Sequence, residues 1–392
     1  MMFLANEIID ILIKITLMIP KSGFNLNSGQ FQLNYMGKSN NYTKNITISE
    51  TKTFAILLVI FYHCMLFYKN PSPFWPLNAG IASPSVITVT AFLGDCLVPS
   101  LVLCSGFLFL LSTRNHPRSR WAMLKNKVKR LSLPYFIYGA LWLVPLYTFF
   151  DIPTFGRPLH TDFVSGFLAM CMGLFTDHLW FLLPLFEVTL FFIIIRNLLD
   201  GKKLIIAGVL TVIATVCVEL FLSDIQYYCI AESGPFFIVF FVGILLYHFN
   251  EKIEKWNSKI YCIISLALFA VLGLFVYLNI DNTVVSYIEQ ISGALLFYFI
   301  FMAVSRTSFS DKLNQSRFYN FCESRSMNIY LLNCPFMQIY FLLLNPLIGT
   351  NVYLTILCLW ILSYPSIFIA VWIQNKLKMA LVNKIPIQKI GG

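Results

Sequence analysis

Continuous apolar runs of 18 residues or more recur along this chain, and each is long enough to cross a hydrocarbon core of about 30 Å. Lipid offers backbone N–H and C=O groups no partner, so only helices and closed barrels span it. The runs are continuous and not alternating, which excludes a barrel. The 392 residues are 58% hydrophobic and 12% charged, where soluble domains carry roughly 25% charged residues. The expectation is an all-α polytopic integral membrane protein.

Spans are predicted at roughly 52–70, 86–112, 131–150, 177–197, 203–222, 235–249, 258–280, 284–305, 326–347 and 352–374, about ten helices in all. Cytoplasmic loops carry excess Lys and Arg, and the charges here alternate. The segments 114–130, 196–203, 251–259, 306–325 and the tail from Lys376 are basic; 71–85, 223–234 and 279–282 are neutral or acidic. Both termini are therefore expected in the cytoplasm of a multi-pass protein of the cell membrane. Residues 163–175 are apolar but short, and counting them as a span would invert every later loop, so they are predicted re-entrant or interfacial. The domain scheme is an N-terminal extension over 1–50, a transmembrane domain over 51–376 and a basic tail over 377–392. In the extension, residues 3–20 suggest an interfacial amphipathic helix, followed by a polar linker rich in Asn, Ser and Lys.

The net charge of +10 lies in short clusters between apolar runs, which argues against a nucleic-acid partner and for membrane topology. The ten cysteines include no Cys-x-x-Cys pair, so neither a metal nor a disulfide framework is expected.

One span carries unusual polar residues. TKTFAILLVIFYHC, residues 51–64, holds Lys52 at its start and His63 near its end. Eleven residues at 100° each give about 1100°, roughly 20° from whole turns, with a rise of about 16 Å, so both side chains share one helix face. Lys52 suits the cytoplasmic interface, where it can snorkel. His63 is expected near mid-membrane, where an ionisable group is a functional hypothesis by default; a histidine hydrogen-bonded into helix packing is the plainer alternative. Imidazole can take a proton from a hydroxyl near neutral pH. Asp95 and Glu187 also lie within spans and need partners there. Either is suited to orient His63, as an acid does in a triad, or to meet a substrate.

A basic residue, ten residues, then His in the first span resembles the signature of the membrane-bound acyltransferase-3 family. Further segments are similar to that family in order: VPSLVLCSGFLFL with Ser105, Gly106 and Phe107; KVKRLSLPY with Lys127, Arg130, Pro134 and Tyr135; DHLWFL with His178, Leu179, Trp180 and Phe181; then FFVGILL and SMNIYLLNCPF. The resemblance covers about residues 50–375. Three positions depart from it: Lys52 where Arg is common, a Lys–Arg pair in place of Arg–Arg, and Asn333 where several relatives carry His, so Asn333 is assigned no catalytic role.

The resemblance implies transfer of an acyl group, most often acetyl from acetyl-CoA, to a hydroxyl of a polysaccharide, lipopolysaccharide or lipid-linked glycan precursor. It makes His63 the base or a transient acyl carrier and Lys52 a contact to the donor. Lys127 and Arg130, expected at a helix start beside the membrane, become donor-phosphate ligands. His178, expected at the outer mouth of the fourth span with Asp177 beside it, becomes an acceptor contact together with Trp180, although both equally suit interfacial anchors. Asp95 and Glu187 are the further candidate substrate contacts. Phosphates favour basic clusters, although the positive-inside rule alone also explains these charges. Ser105-Gly106 is read as a close helix approach, with Ser105 as acyl carrier the lesser alternative. The implied partners are acyl-CoA, a glycan acceptor and membrane lipid, with no metal cofactor. A transporter or flippase for a lipid-linked sugar competes with this reading, because intramembrane His, Asp and Glu serve proton coupling equally well. A non-catalytic partner in an envelope-assembly complex is the third reading.

Overall fold

A computed structural model describes residues 45–69, 77–149, 162–174, 177–225, 227–280 and 282–384. These residues form helices and connections, with no strand among them. In chain order the helices are α1 (Ile46–Leu66), α2 (Pro84–Asn115), α3 (Arg120–Phe149), α4 (Phe163–Cys171), α5 (Asp177–Ile194), α6 (Gly201–Phe221), α7 (Tyr227–Ile253), α8 (Ser258–Leu278), α9 (Thr283–Val304), α10 (Ser308–Gln315), α11 (Arg317–Ile348) and α12 (Val352–Lys384). Ten are long and apolar enough to cross a membrane, all but α4 and α10. The chain is thus an all-helical polytopic membrane protein. The interfacial helix and most of the polar linker expected before residue 45 lie outside the described residues.

Ile46–Ile367 form one compact unit, and the end of α12 beyond Ile367 belongs to a second. In that second unit Lys376 Nζ stands 5.7 Å over the Trp372 ring. In the first, α2 is the central helix, packed against α1, α7 and α9, while α11 packs on α1. The most apolar 18 residues of α2 are 67% buried, against 17% in α8, so α8 is a peripheral helix that turns side chains such as Ile263, Leu266 and Tyr277 outward.

Several helices start earlier than their apolar runs. Helix α1 begins at Ile46 because its polar first turns are buried and satisfied. Thr51 donates to the Thr47 carbonyl at 2.8 Å, and the buried Glu50 accepts from Ser310 at 2.5 Å and Asn314 at 3.0 Å, both on α10. Lys52 therefore lies six residues inside α1 and does not open it, while His63 is three residues from its end. Helix α3 likewise starts at Arg120, where Ser119 caps it by accepting from the Ala122 amide at 3.2 Å. Lys127 and Arg130 are consequently inside a helix and not at its start, a correction to the sequence expectation.

Helix α3 carries two π turns, Val128–Ser132 and Gly139–Leu143. Each precedes a proline, Pro134 or Pro145, by two residues. A proline has no amide to give the carbonyl four residues back; those carbonyls belong to Arg130 and Leu141, one in each π turn, and the wider register absorbs the defect. Helix α4 has nine residues, about 13 Å at 1.5 Å per residue, too short to cross. Asp162 caps it, accepting from the Ser165 amide at 2.9 Å, and hydrogen bonding to Ser165 holds the Asp162 carboxyl below its usual range.

Lipid tails are as apolar as leucine, so helices in a bilayer associate through close packing and not through the hydrophobic effect. The crossing of α2 and α7 meets that need with reciprocal glycines. A side-chain carbon at Gly106 would overlap the Phe240 carbonyl, and one at Gly243 the Leu103 carbonyl. Gly106→Val is expected to destabilise the protein by about 1–3 kcal/mol or more through overpacking against backbone. Gly273→Ala, in α8 with nothing within 4 Å of the added carbon, should be neutral or stabilise by about 0.5–1 kcal/mol. Thermal unfolding in detergent, followed by circular dichroism, compares the two.

Candidate active site

Pro335 lies inside α11 and leaves the carbonyl of Leu331, four residues back, without its helical partner. That carbonyl accepts from His178 Nε2 at 3.2 Å. A helix defect on α11 thus holds a ring from the start of α5. The backbone of His178 is held as well, because Tyr330 donates its hydroxyl to the His178 carbonyl. His178 is only 2% exposed.

Its neighbour Asp177 is 6% exposed and adopts φ +41°, in the left-handed region. Side chains rarely enter that region, and such strain concentrates at functional sites. Asp177 Oδ2 accepts from Gln338 Nε2 at 2.9 Å and from Cys334 Sγ at 3.4 Å. The same Gln338 amide nitrogen reaches the Tyr147 hydroxyl on α3 at 2.9 Å. Tyr330, Cys334 and Gln338 recur every four residues, so they form one polar stripe along α11. Gln338 and Cys334 are fully buried and Tyr147 nearly so.

Helix α1 brings His63 to this cluster. Its ring meets that of His178 edge-on at 6.5 Å between centroids. Asp177 and Asn333 are its further polar neighbours, from α5 and α11. Four helices, α1, α3, α5 and α11, therefore converge on one buried polar centre: two imidazoles, a carboxylate, two amides, a thiol and two phenols.

The structure brings together only some of the residues singled out from sequence. His63 and His178 face each other, and His178, at the start of its span as expected, is buried by protein. Asp95 does not serve His63: its charged neighbours are Glu289 and Lys69. Glu187 turns instead to Ser233. The carboxylate at the histidine pair is Asp177, which the spacing argument noted only as a neighbour of His178. Asn333, set aside on sequence, is a buried neighbour of His63. Lys52 is half-buried and acts on Cys104, a helical rise of about 16 Å from His63. Lys127 stands 5.9 Å over the Phe109 ring with Arg130 as its charged neighbour, and Arg130 is exposed. Trp180 packs 5.9 Å from the Phe236 ring. Ser105 returns its hydroxyl to the Leu101 carbonyl at 2.8 Å, a bond that fits a packing role better than an acyl carrier. In the basic segment, Arg114 is paired with Asp200.

The missed members were Cys334, Gln338, Tyr147 and Tyr330. The four-residue spacing along α11 was the available signal, masked by the apolar residues between. Gln338→Leu should cost about 1–3 kcal/mol, because it strips Asp177 of a buried donor and leaves the Tyr147 hydroxyl short of a partner. The loss is to be read as a lower unfolding midpoint in detergent, and an unchanged midpoint would show that the contact contributes nothing.

The acyltransferase domain of the acyltransferase-3 family matches residues 51–373. No curated protein and no solved structure matches the chain at a significant level. The matched stretch takes in α2 to α11 entire and most of α1 and α12, and with them every residue of the buried centre. The chain belongs to the acyltransferase-3 family and is a multi-pass membrane acyltransferase.

Proposed function

We propose that this acyltransferase takes an acyl group, acetyl by preference, from acyl-CoA and places it on a hydroxyl of a cell-surface polysaccharide, lipopolysaccharide or lipid-linked glycan precursor. The observation that carries this reading is a buried imidazole, His63, facing a second imidazole and a carboxylate inside a ten-span bundle. His63 removes the proton from the acceptor hydroxyl as its oxygen attacks the thioester carbonyl carbon. The C–O bond forms, the C–S bond breaks, and the imidazolium returns its proton to the departing CoA thiolate. Asp177 supplies the negative charge that favours the imidazolium in the interval, and Asn333 orients the ring. His178, and with it Trp180 at the start of α5, belongs to the acceptor side.

Donor recognition falls to cations on the opposite side of the reaction centre. Lys52 holds the charge at the far end of α1, and Lys127 and Arg130 extend it along α3, suited to the phosphates of a polyanionic donor. The charge alternation of the connections supports both termini, and the basic segment between α2 and α3, on the cytoplasmic side of the cell membrane. Acyl-CoA is then the donor substrate on that side, and the glycan is the partner.

His63→Gln keeps a hydrogen-bonding side chain but cannot take up a proton. It should lower transfer of labelled acetyl from acetyl-CoA to glycan by on the order of 10²–10⁴-fold while leaving expression intact. Near wild-type transfer by that variant would refute the mechanism. Lys52→Arg should keep most of the activity and Lys52→Ala lose it. The orientation is tested separately by single-cysteine labelling. Native Cys229 and Cys322 are both buried and report poorly, whereas Ser223 and Lys255 are exposed. In a background without other cysteines, Ser223→Cys should react with an impermeant maleimide on intact cells and Lys255→Cys only after permeabilisation. The reverse pattern would move the donor site to the outside.

A further inference from the structure

We infer that Asp177, His178 and Cys334 form a binding site for a divalent first-row metal ion, with zinc the ion that the donor set suits best. The inference stands on geometry alone and goes beyond the acyl-transfer reading without depending on it. One donor atom from each residue, a carboxylate oxygen, an imidazole nitrogen and a thiol sulfur, lies within 4.8 Å of the other two. All three side chains are at least nine-tenths buried.

The spacing is that of ligands around a common centre. Cys334 Sγ is 3.4 Å and His178 Nδ1 3.7 Å from Asp177 Oδ2. Tetrahedral zinc with bonds of about 2.0 Å to N and O and about 2.3 Å to S requires edges of about 3.3 Å for N–O and about 3.5 Å for O–S. The two edges to Asp177 Oδ2 need shifts of only a few tenths of an ångström, and the third, between Cys334 and His178, lies within 4.8 Å and closes by side-chain rotation.

The hydrogen bonding points to a ligand more strongly than the distances do. His178 Nε2 gives its proton to the Leu331 carbonyl, which leaves Nδ1 of the neutral ring as a bare lone pair. That lone pair faces a carboxylate, itself lone pairs only. His178 Nδ1 and Asp177 Oδ1 both lack a hydrogen-bond partner among the described residues. Asp177 Oδ2 already accepts from Gln338 and Cys334, but Oδ1 and His178 Nδ1 are left as unpartnered buried acceptors side by side, and a positive centre beside the carboxylate satisfies both. At 3.7 Å the Nδ1–Oδ2 separation is too long for a bridging proton in a hydrogen bond and fits a bridging cation.

The surroundings have the form of a ligand-orienting shell. Metal-bound histidines usually donate their other ring N–H to a carbonyl or carboxylate, and ligating carboxylates are themselves hydrogen-bonded. Leu331 and Gln338 occupy those two roles. A set of one N, one O and one S suits zinc, whereas magnesium and calcium favour oxygen alone. Binding converts the Cys334 thiol to a thiolate and releases its proton to solvent. Three protein ligands leave the fourth position open, as in catalytic zinc sites, and His63 is the facing imidazole. The sequence pattern did not disclose the site because Asp177-His178 and Cys334 belong to different helices and lack the short ligand spacing of zinc motifs.

The test uses the full chain purified in detergent, loaded with Zn²⁺, freed of excess and assayed by plasma mass spectrometry. About one zinc per chain is expected, falling to a small fraction in Cys334→Ala and in Asp177→Asn. Cobalt exchange supplies a reading that needs no variant to fold. Co²⁺ bound to the wild-type protein should show the visible bands of a tetrahedral ion and a thiolate charge-transfer band in the near ultraviolet. Wild-type protein holding less than about a tenth of an ion per chain, or a cobalt spectrum without the thiolate band, overturns the site. So does a charge-transfer band that persists in Cys334→Ala. Acetyl transfer is measured on the same preparation. Transfer by a protein that fails to take up zinc or cobalt overturns the metal site and leaves the acyl-transfer reading standing, and metal binding without transfer does the opposite.

Discussion

A backbone carbonyl that has lost its amide partner cannot be left facing hydrocarbon, and this constraint organises the site. Pro335 frees the Leu331 carbonyl in the middle of α11. The chain answers with His178, whose ring nitrogen fills the gap at 3.2 Å. One proline therefore does three things. It breaks a helical bond, holds a histidine from another helix and decides which nitrogen of that histidine carries the proton. The π turns of α3 obey the same rule, with the irregular register confined to the two prolines that require it. Irregular backbone at membrane depth is tolerated only where protein surrounds it, so the irregular places are also the places where chemistry can be built.

Around that bond the polar groups form a network that is only partly satisfied within the protein, with His178 Nδ1 and Asp177 Oδ1 lacking hydrogen-bond partners among the described residues. Gln338 holds both Asp177 and Tyr147, Tyr330 holds the backbone of His178, and Asn333 adjoins His63. These α11 side chains reach residues of α3 and α5, so the network sets the rotation and depth of α3, α5 and α11 together. Close packing alone specifies this less well, because apolar helices in lipid can slide or rotate at modest cost. Polar networks are costly when half-satisfied and specific when complete, so the unpartnered acceptors left in this centre mark it as a place where a ligand or substrate completes the network.

Much of the fold was legible in the sequence because hydrocarbon thickness acts as a ruler. The ten long helices, the short α4 and the connections between them follow from apolar run lengths and breaks. Helix starts were less legible wherever polar first turns are buried against protein. ITISET in α1 and RWAMLKNK in α3 read as linker and loop, yet Glu50 and Ser119 find partners that make them helical. In the site, His63 and His178 stood out as ionisable residues in or beside apolar runs. Their carboxylate did not. Asp95 and Glu187 drew notice for lying within spans, but a span position says nothing about direction, and both side chains turn elsewhere. Asp177 sits at a helix end, where an acid is ordinary. Only the fold reveals that this end is tucked against α11. Asn333 was set aside because it replaces an ionisable residue, yet an amide can orient an imidazole without titrating.

The separation along α1 limits what kind of donor this protein can use. Lys52 and His63 share a helix face but stand about 16 Å apart in rise, so they cannot touch the same functional group. If both act on one donor, its anionic end and its reactive carbonyl must be separated by a comparable length, with little charge between, because the residues between them are apolar. A small acyl phosphate fails that requirement, since its charge adjoins its carbonyl. A thioester at the end of a long, mostly uncharged arm attached to a phosphorylated nucleotide meets it. On the proposed reading the cationic end of α1 and the basic turn of α3 hold the phosphates, the arm runs along α1, and the carbonyl arrives at His63. The acceptor hydroxyl must then approach the histidine end of α1. A single helix with a cation near one end and an imidazole near the other thereby sets the distance over which the donor is read and the point at which its bond is broken.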